Sequence, residues 1–166
     1  MSVAQILIAN YQFNRGRTLG LLEKVEQEPD PRAVLGWRPG PGRAHIGWQL
    51  MHIGITEELF ATERLAPEKQ GAFQELWPRF RGGSTPDDDI PSPALIRRVL
   101  AESREHLVAT LAAYGDDRLD EIPPAMAARK LNMLAVLHII NWHEGHHQGQ
   151  AHITFNLYKE KMGREA

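Results

Sequence analysis

The fold of this chain turns on one segment, Asn141-Trp142-His143-Glu144-Gly145-His146-His147-Gln148-Gly149-Gln150-Ala151-His152, which lies near the end of 166 residues. It carries neither proline nor an alternating apolar pattern, and it continues a helical periodicity that runs from about Arg129 to Lys161. In a helix, His143 and His147 are one turn apart on one face, the separation that two ligands of a single metal ion need. Val136, Ile140, Ala151 and Thr154 share their stripe, so the face reads as core-facing.

Three further helical segments precede this one, separated by Pro/Gly-rich breaks. The first runs from about Ser2 to Val25, with Val3, Ile6, Leu7, Phe13, Leu21 and Val25 as its apolar stripe, and stops at Glu28-Pro29-Asp30-Pro31. The second spans roughly Arg43 to Leu65, after a loop around Trp37 that is a candidate lid. A short extra helix is expected over Glu68 to Trp77. Ser92-Pro93 is a start signal, serine as N-cap and proline in the first turn, for a third helix to Tyr114. No β-hairpin chemistry, internal repeat or interdomain linker is visible. The expectation is a single all-α domain over residues 1–166, a four-helix bundle with long loops, with any metal site in its core.

Composition limits the chemistry. With 42% apolar and 24% charged residues the chain reads as globular. It has no cysteine, which removes disulfides, thiolate metal sites and a cysteine nucleophile. It has eight histidines, five of them between His138 and His152. Nineteen Lys and Arg against 21 acids, without a basic block, argue against a nucleic-acid partner. No signal peptide or membrane-spanning run is seen, so the expected setting is cytoplasmic with no membrane partner.

On the second helix, His52 lies on the stripe Trp48, His52, Ile55, Leu59. An imidazole among such neighbours needs a polar partner, and a role as third ligand beside His143 and His147 would supply one. Three neutral imidazoles leave a coordination position open, as catalytic sites do. His45, His106, His138 and His152 read as bystanders. Glu144 and His146 are the candidates for a catalytic base or a group that orients the ligands. Asn10, Asn14 and Arg17, at i, i+4 and i+7 of the first helix, are candidates to hold an anionic group of a cosubstrate. His143-Glu144-Gly145-His146-His147 also satisfies the zinc-protease pattern H-E-x-x-H. The longer form needs Gly at 150 and His at 153, where Gln150 and Ile153 stand, and no strand offers itself to a peptide.

The stretch Gly47-Trp48-Gln49-Leu50-Met51-His52-Ile53, together with His143-Glu144-Gly145-His146-His147-Gln148-Gly149-Gln150, resembles the DinB/YfiT-like superfamily of metal-binding four-helix bundles. Helix order, lengths and loop placement extend the likeness over nearly the whole chain, though its specific part is confined to those two stretches. The resemblance implies a divalent metal, often nickel or zinc, held by His52, His143 and His147. It also implies a frequent homodimer and, in some relatives, thiol-dependent reactions: transfer with a low-molecular-weight thiol such as bacillithiol, and a mycothiol-dependent isomerisation of maleylpyruvate. Two positions depart from the family pattern: Gln148 stands where arginine is frequent, and His146 where the residue is often aromatic or apolar. The expected function is therefore metal-dependent thiol S-transfer or hydrolysis of a small-molecule substrate. Because the chain has no cysteine, the thiol would have to arrive as a cosubstrate. The alternative is a non-catalytic metal-binding stress-response or interaction module.

Overall fold

A computed structural model describes residues 2–163. The helices begin where side chains can satisfy the free N–H groups of their first turns. Helix α1 (Val3–Glu26) starts at Ser2, whose Oγ accepts from Gln5 N–H at 3.1 Å while the Gln5 side chain accepts from Ser2 N–H at 2.8 Å. The Asp116 carboxylate takes the N–H groups of Val3 and Ala4 at 2.9 and 3.2 Å. Helix α2 (Pro31–Gly36) has Asp30 as N-cap, and α3 (Ile46–Leu59) has His45, whose Nδ1 accepts from Trp48 N–H at 3.0 Å. Then come α4 (Trp77–Phe80), α5 (Pro93–Leu111) behind Ser92, and α6 (Met133–Lys161) behind Asn132. No strand occurs among the described residues.

Four long helices carry the architecture, packed in the cyclic order α1, α6, α3, α5 and back to α1. Their directions follow from the bonds between them. Tyr11 pairs with Leu137, Asn14 with Asn141 and Thr18 with Glu144, so α1 and α6 run parallel. His52 meets His143 and Gln49 meets His147, so α3 and α6 are antiparallel. Glu57 meets Arg104 and Ala61 meets Thr110, so α3 and α5 are parallel. A parallel neighbouring pair cannot be joined by a short loop, and residues 65–92 make the return. Gly54 allows this pair its close approach, since a Cβ there would stand 2.7 Å from Val99 Cγ1 and 3.3 Å from the Val99 backbone.

Several expectations are corrected in detail. In α1, Val3, Ile6 and Phe13 are exposed, and the buried face is Ala4, Leu7, Tyr11, Arg15, Thr18, Leu21, Leu22 and Val25. An arginine on that face breaks the apolar pattern that the stripe was read from. The short helical piece expected over Glu68 to Trp77 lies later, as a 3-10 turn (Gln74–Leu76) followed by α4. Helix α2 occupies the end of a stretch read as a break, although Asp30-Pro31 is the same kind of start signal as Ser92-Pro93. Trp37 packs edge-on against Tyr158 with ring centroids 6.0 Å apart, so its side chain is seated on α6.

The centre of the bundle is ionic. Each long helix contributes one residue: Arg15 from α1, Glu57 from α3, Arg104 from α5 and Glu144 from α6, none more than 5% exposed. Arg15 donates to Glu144 Oε1 at 2.8 Å and to Glu57 Oε2 at 2.9 Å, and Arg104 pairs with both carboxylates. Thr18 adds a bond to Glu144 at 2.8 Å, and the Leu100 and Tyr11 carbonyls accept from Arg15 and Arg104. Burial by itself would raise Glu144, but Arg15 and Arg104 overcome it and hold the carboxyl below its ordinary range. Two cations and two anions cancel, and removing one leaves buried charge without compensation. Arg104→Met is expected to lower unfolding free energy by about 3–5 kcal/mol in urea titration. The same change at exposed Arg32 should stay within about 0.5 kcal/mol, and equal effects would refute a structural role for the network.

Candidate metal centre

Every residue of α3 from Ile46 to Leu59 is buried, so His52 has no access to bulk water along its own helix. Its ring stacks on Trp48 with centroids 4.6 Å apart and planes 14° off parallel. Its Nδ1 lies 2.6 Å from the Phe80 carbonyl. A carbonyl can only accept, so Nδ1 carries the proton and Nε2 presents its lone pair. The same logic holds on α6: His147 Nδ1 donates to the Gln49 side-chain oxygen, so Nε2 carries the ring's lone pair. His143 Nε2 lies 3.0 Å from His52 Nε2.

Candidate ligand nitrogens of the three rings all lie within 4.8 Å of one another, and their ring centroids are 4.5–4.8 Å apart. Imidazole nitrogens around a tetrahedral zinc stand about 3.3 Å apart. The residues therefore fit a divalent ion with little rearrangement. A polar acceptor behind the rings of His52 and His147 fixes tautomer and orientation, as metal-ligating histidines require.

A buried carboxylate arranges the acceptor behind His52. Glu58 accepts from Ala72 N–H at 2.6 Å, Phe73 N–H at 3.1 Å and Trp77 Nε1 at 2.6 Å, which ties the 66–80 segment to α3. Trp48 Nε1 donates to the Arg79 carbonyl at 3.0 Å one residue before Phe80. Gly71 lies so close that a Cβ would meet Glu58 Oε2 at 2.8 Å. The sequence reading assigned no role to Glu58, the Phe80 carbonyl or Gln49. Only the i,i+3 spacing of Gln49 and His52 hinted at the last.

The other expected site residues fall in different places. His146 is exposed, stacks on Trp142, lies 5.0 Å from the His147 ring and accepts from Gln150 Nε2 at 3.0 Å. Glu144 is engaged in the buried ion network, held by Arg15, Arg104 and Thr18. Asn14 Nδ2 donates to Asn141 and joins α1 to α6, while Asn10 and Arg17 are exposed on α1. Gln148 lies beside Arg17 in the α1–α6 groove. His45, read as a bystander, is the buried N-cap of α3. A cavity of about 670 Å³ lies between α1 and α5 and contains none of the three histidines. The cavity that reaches His52 and His143 is smaller, about 200 Å³.

These features define an all-helical protein with a three-histidine group able to hold a metal. A sequence model of the DinB superfamily matches residues 10–151, and the chain belongs to that superfamily. No curated protein and no solved structure matches it. Among the described residues, no helix is long and apolar enough to cross a membrane.

Burial, followed by the nearness of His147 and His52, pushes His143 down to about 2. Burial, with His52 and His146 nearby, pushes His147 to about 3, and burial also lowers His52. All three rings are thus neutral near pH 7, with lone pairs available. The unfolded chain takes up protons at these histidines near pH 6.5 and the folded one at lower pH, so apoprotein stability should fall as pH drops below about 6.5. The slope is at most about 1.4 kcal/mol per pH unit for each group. Denaturation midpoints between pH 7 and 5 should show this decline, and His143→Asn should flatten it; parallel profiles would overturn the reading. In metal analysis of untagged protein, His147→Ala should abolish tight binding and Gln49→Ala weaken it about 10–100-fold. His138→Ala, at an exposed position, should leave it intact. Equal losses at His147 and His138 would show that the wrong face has been chosen.

Proposed function

We propose that this DinB-superfamily protein is a metal-dependent enzyme acting on a small molecule, by thiol S-transfer ahead of hydrolysis. One observation carries the reading. Two of the converging imidazoles are oriented from behind by carbonyl oxygens, and the cluster opens onto a cavity at His52 and His143, with no fourth histidine or carboxylate ligand joining it among the described residues. Nickel or zinc is the proposed ion, since three neutral imidazoles suit either. When bound, the metal would lower the pKa of a coordinated thiol or water and so provide a nucleophile near neutral pH.

The chain's own residues supply position and proton handling. Phe80 and Gln49 fix the rings of His52 and His147, and Trp48 covers one face of His52. His146, at the solvent side of His147, is our candidate for carrying a proton between the site and water. Glu144 supports the site at a distance, by holding α6 to the other three helices. The sulfur must come from a low-molecular-weight thiol, because the chain has no cysteine. The cytoplasm, where such thiols are kept reduced, is the proposed setting. Phe13, Trp142 and Ile153 are exposed on the outer faces of α1 and α6, which supports the proposed homodimer.

The test is metal content per chain of untagged protein, followed by conjugation of an electrophile with a panel of thiols. Stoichiometric metal and thiol-dependent turnover are expected. Failure to bind nickel or zinc would remove the proposed centre. Stoichiometric metal with no turnover on any thiol or ester would favour the non-catalytic module instead.

A further inference from the structure

The cavity that reaches His52 and His143 is also lined by two arginines, Arg64 and Arg129. Phe60, Met126, Leu131 and Ile139 give it apolar walls. Both arginines are placed by unusual backbone. Arg64 closes a π-turn (Phe60–Arg64) that continues α3. In an uninterrupted α-helix, residue 64 would lie about a third of a turn from the His52 face. The wider π-turn rotates it back, so that His52, Thr56, Phe60 and Arg64 all line the one cavity. Arg129 ends a 3-10 helix (Pro124–Arg129) stopped by Lys130, whose φ of 53° is left-handed. The π-turn and this 3-10 helix pack together.

These two cations differ from the others that reach the interior. Arg15 and Arg104 are each paired with two carboxylates. The guanidinium of half-buried Arg64 lies over the Phe60 ring at 4.3 Å, and Arg129 stands exposed at the rim. Neither donates to a carboxylate or carbonyl among the described residues. The nearby acid, Glu63, is paired with Arg81 at 3.2 Å. Burial first, and then Arg129 and Arg81 against the opposing pull of Glu63, lowers Arg64, which places the cations within reach of one another's fields. A half-buried guanidinium whose N–H groups donate to no acid favours a bound anion, and guanidinium groups suit carboxylate geometry in particular.

We propose that this cavity seats the substrate or thiol cosubstrate, and that Arg64 and Arg129 select a short molecule bearing a carboxylate. The rest of that molecule lies along the apolar wall and turns its metal-binding group toward His52 and His143. At about 200 Å³ the space is below the 300–1,000 Å³ of drug-sized pockets, so the part of the ligand held inside it amounts to a few carbon atoms. The inference deepens the proposed function and rests on it for the metal-binding group. The anion-holding part stands on the arginines alone. It also relocates the anion-binding role expected of Asn10, Asn14 and Arg17 to the opposite side of α6.

The probes are 3-mercaptopropionate and its neutral analogue 3-mercaptopropanol. Both are titrated by calorimetry into apoprotein and into protein loaded with cobalt(II), with sulfur-to-cobalt absorption followed in parallel. The loaded protein should prefer the anion by about tenfold or more. Arg129→Gln and Arg64→Gln should each bring the two probes toward equal affinity, with cobalt stoichiometry unchanged. Arg129 is exposed, so its variant separates anion binding from folding. Bound cobalt with equal affinities, or with a preference that survives both substitutions, would overturn the proposal. Failure to bind cobalt would instead count against the metal centre. The apoprotein titration would then decide the anion site by whether 3-mercaptopropionate binding depends on Arg129.

Discussion

Two arginines and two glutamates meet where a purely apolar bundle would place leucines, and the rest of the molecule is arranged around them. Arg15, Glu57, Arg104 and Glu144 come from four different helices, and each cation touches both anions. Such a cluster is poor evidence of net stability, because desolvation offsets much of the attraction. Its stronger effect is on register. Sliding any helix by one residue would turn its charged member away from its two oppositely charged partners, whereas an apolar seam tolerates small slips. The network therefore sets how α3 and α6 lie against each other, and those are the two helices that carry the histidines.

From that register the candidate metal centre follows by short links. Glu144 is next to His143 in the chain, so the residue that locks α6 into the ion network also delivers His143 and His147 to the α3 side. On α3, Glu57 belongs to the network while Glu58 captures the 66–80 segment. That segment brings the Phe80 carbonyl to His52. Two adjacent glutamates on one helix thus divide the work, one fixing the bundle and the other building the wall behind a ligand. The H-E-x-x-H pattern has its glutamate committed to arginines in the core, so its likeness to a protease motif does not extend to the glutamate's surroundings.

The i,i+4 spacing of His143 and His147 and the apolar neighbours of His52 sufficed to select the three rings that meet, because helical periodicity is local. Glu144 was read as a group beside the metal because adjacency in sequence suggested adjacency in space. On a helix, successive residues point about 100° apart, and the next residue can belong to a different interface. Arg15 and Glu57 passed unnoticed for a related reason. A buried charge looks like a surface charge until its partner is found, and the partners are 42 to 129 positions away in the chain.

By itself the sequence determined what depends on neighbours within a few turns: the four long helices, the Ser92-Pro93 start of α5, the absence of any thiol belonging to the chain itself and the three histidines with metal-ligand character. Tertiary structure alone decided the cyclic order and direction of the helices, the ionic centre, and the Phe80 and Gln49 contacts that orient the rings. It also decided that the cations beside the histidines are Arg64 and Arg129. Those two reach the cavity through a π-turn and a left-handed residue. Both are backbone departures stabilised by packing, and no periodicity in the residues themselves announces them.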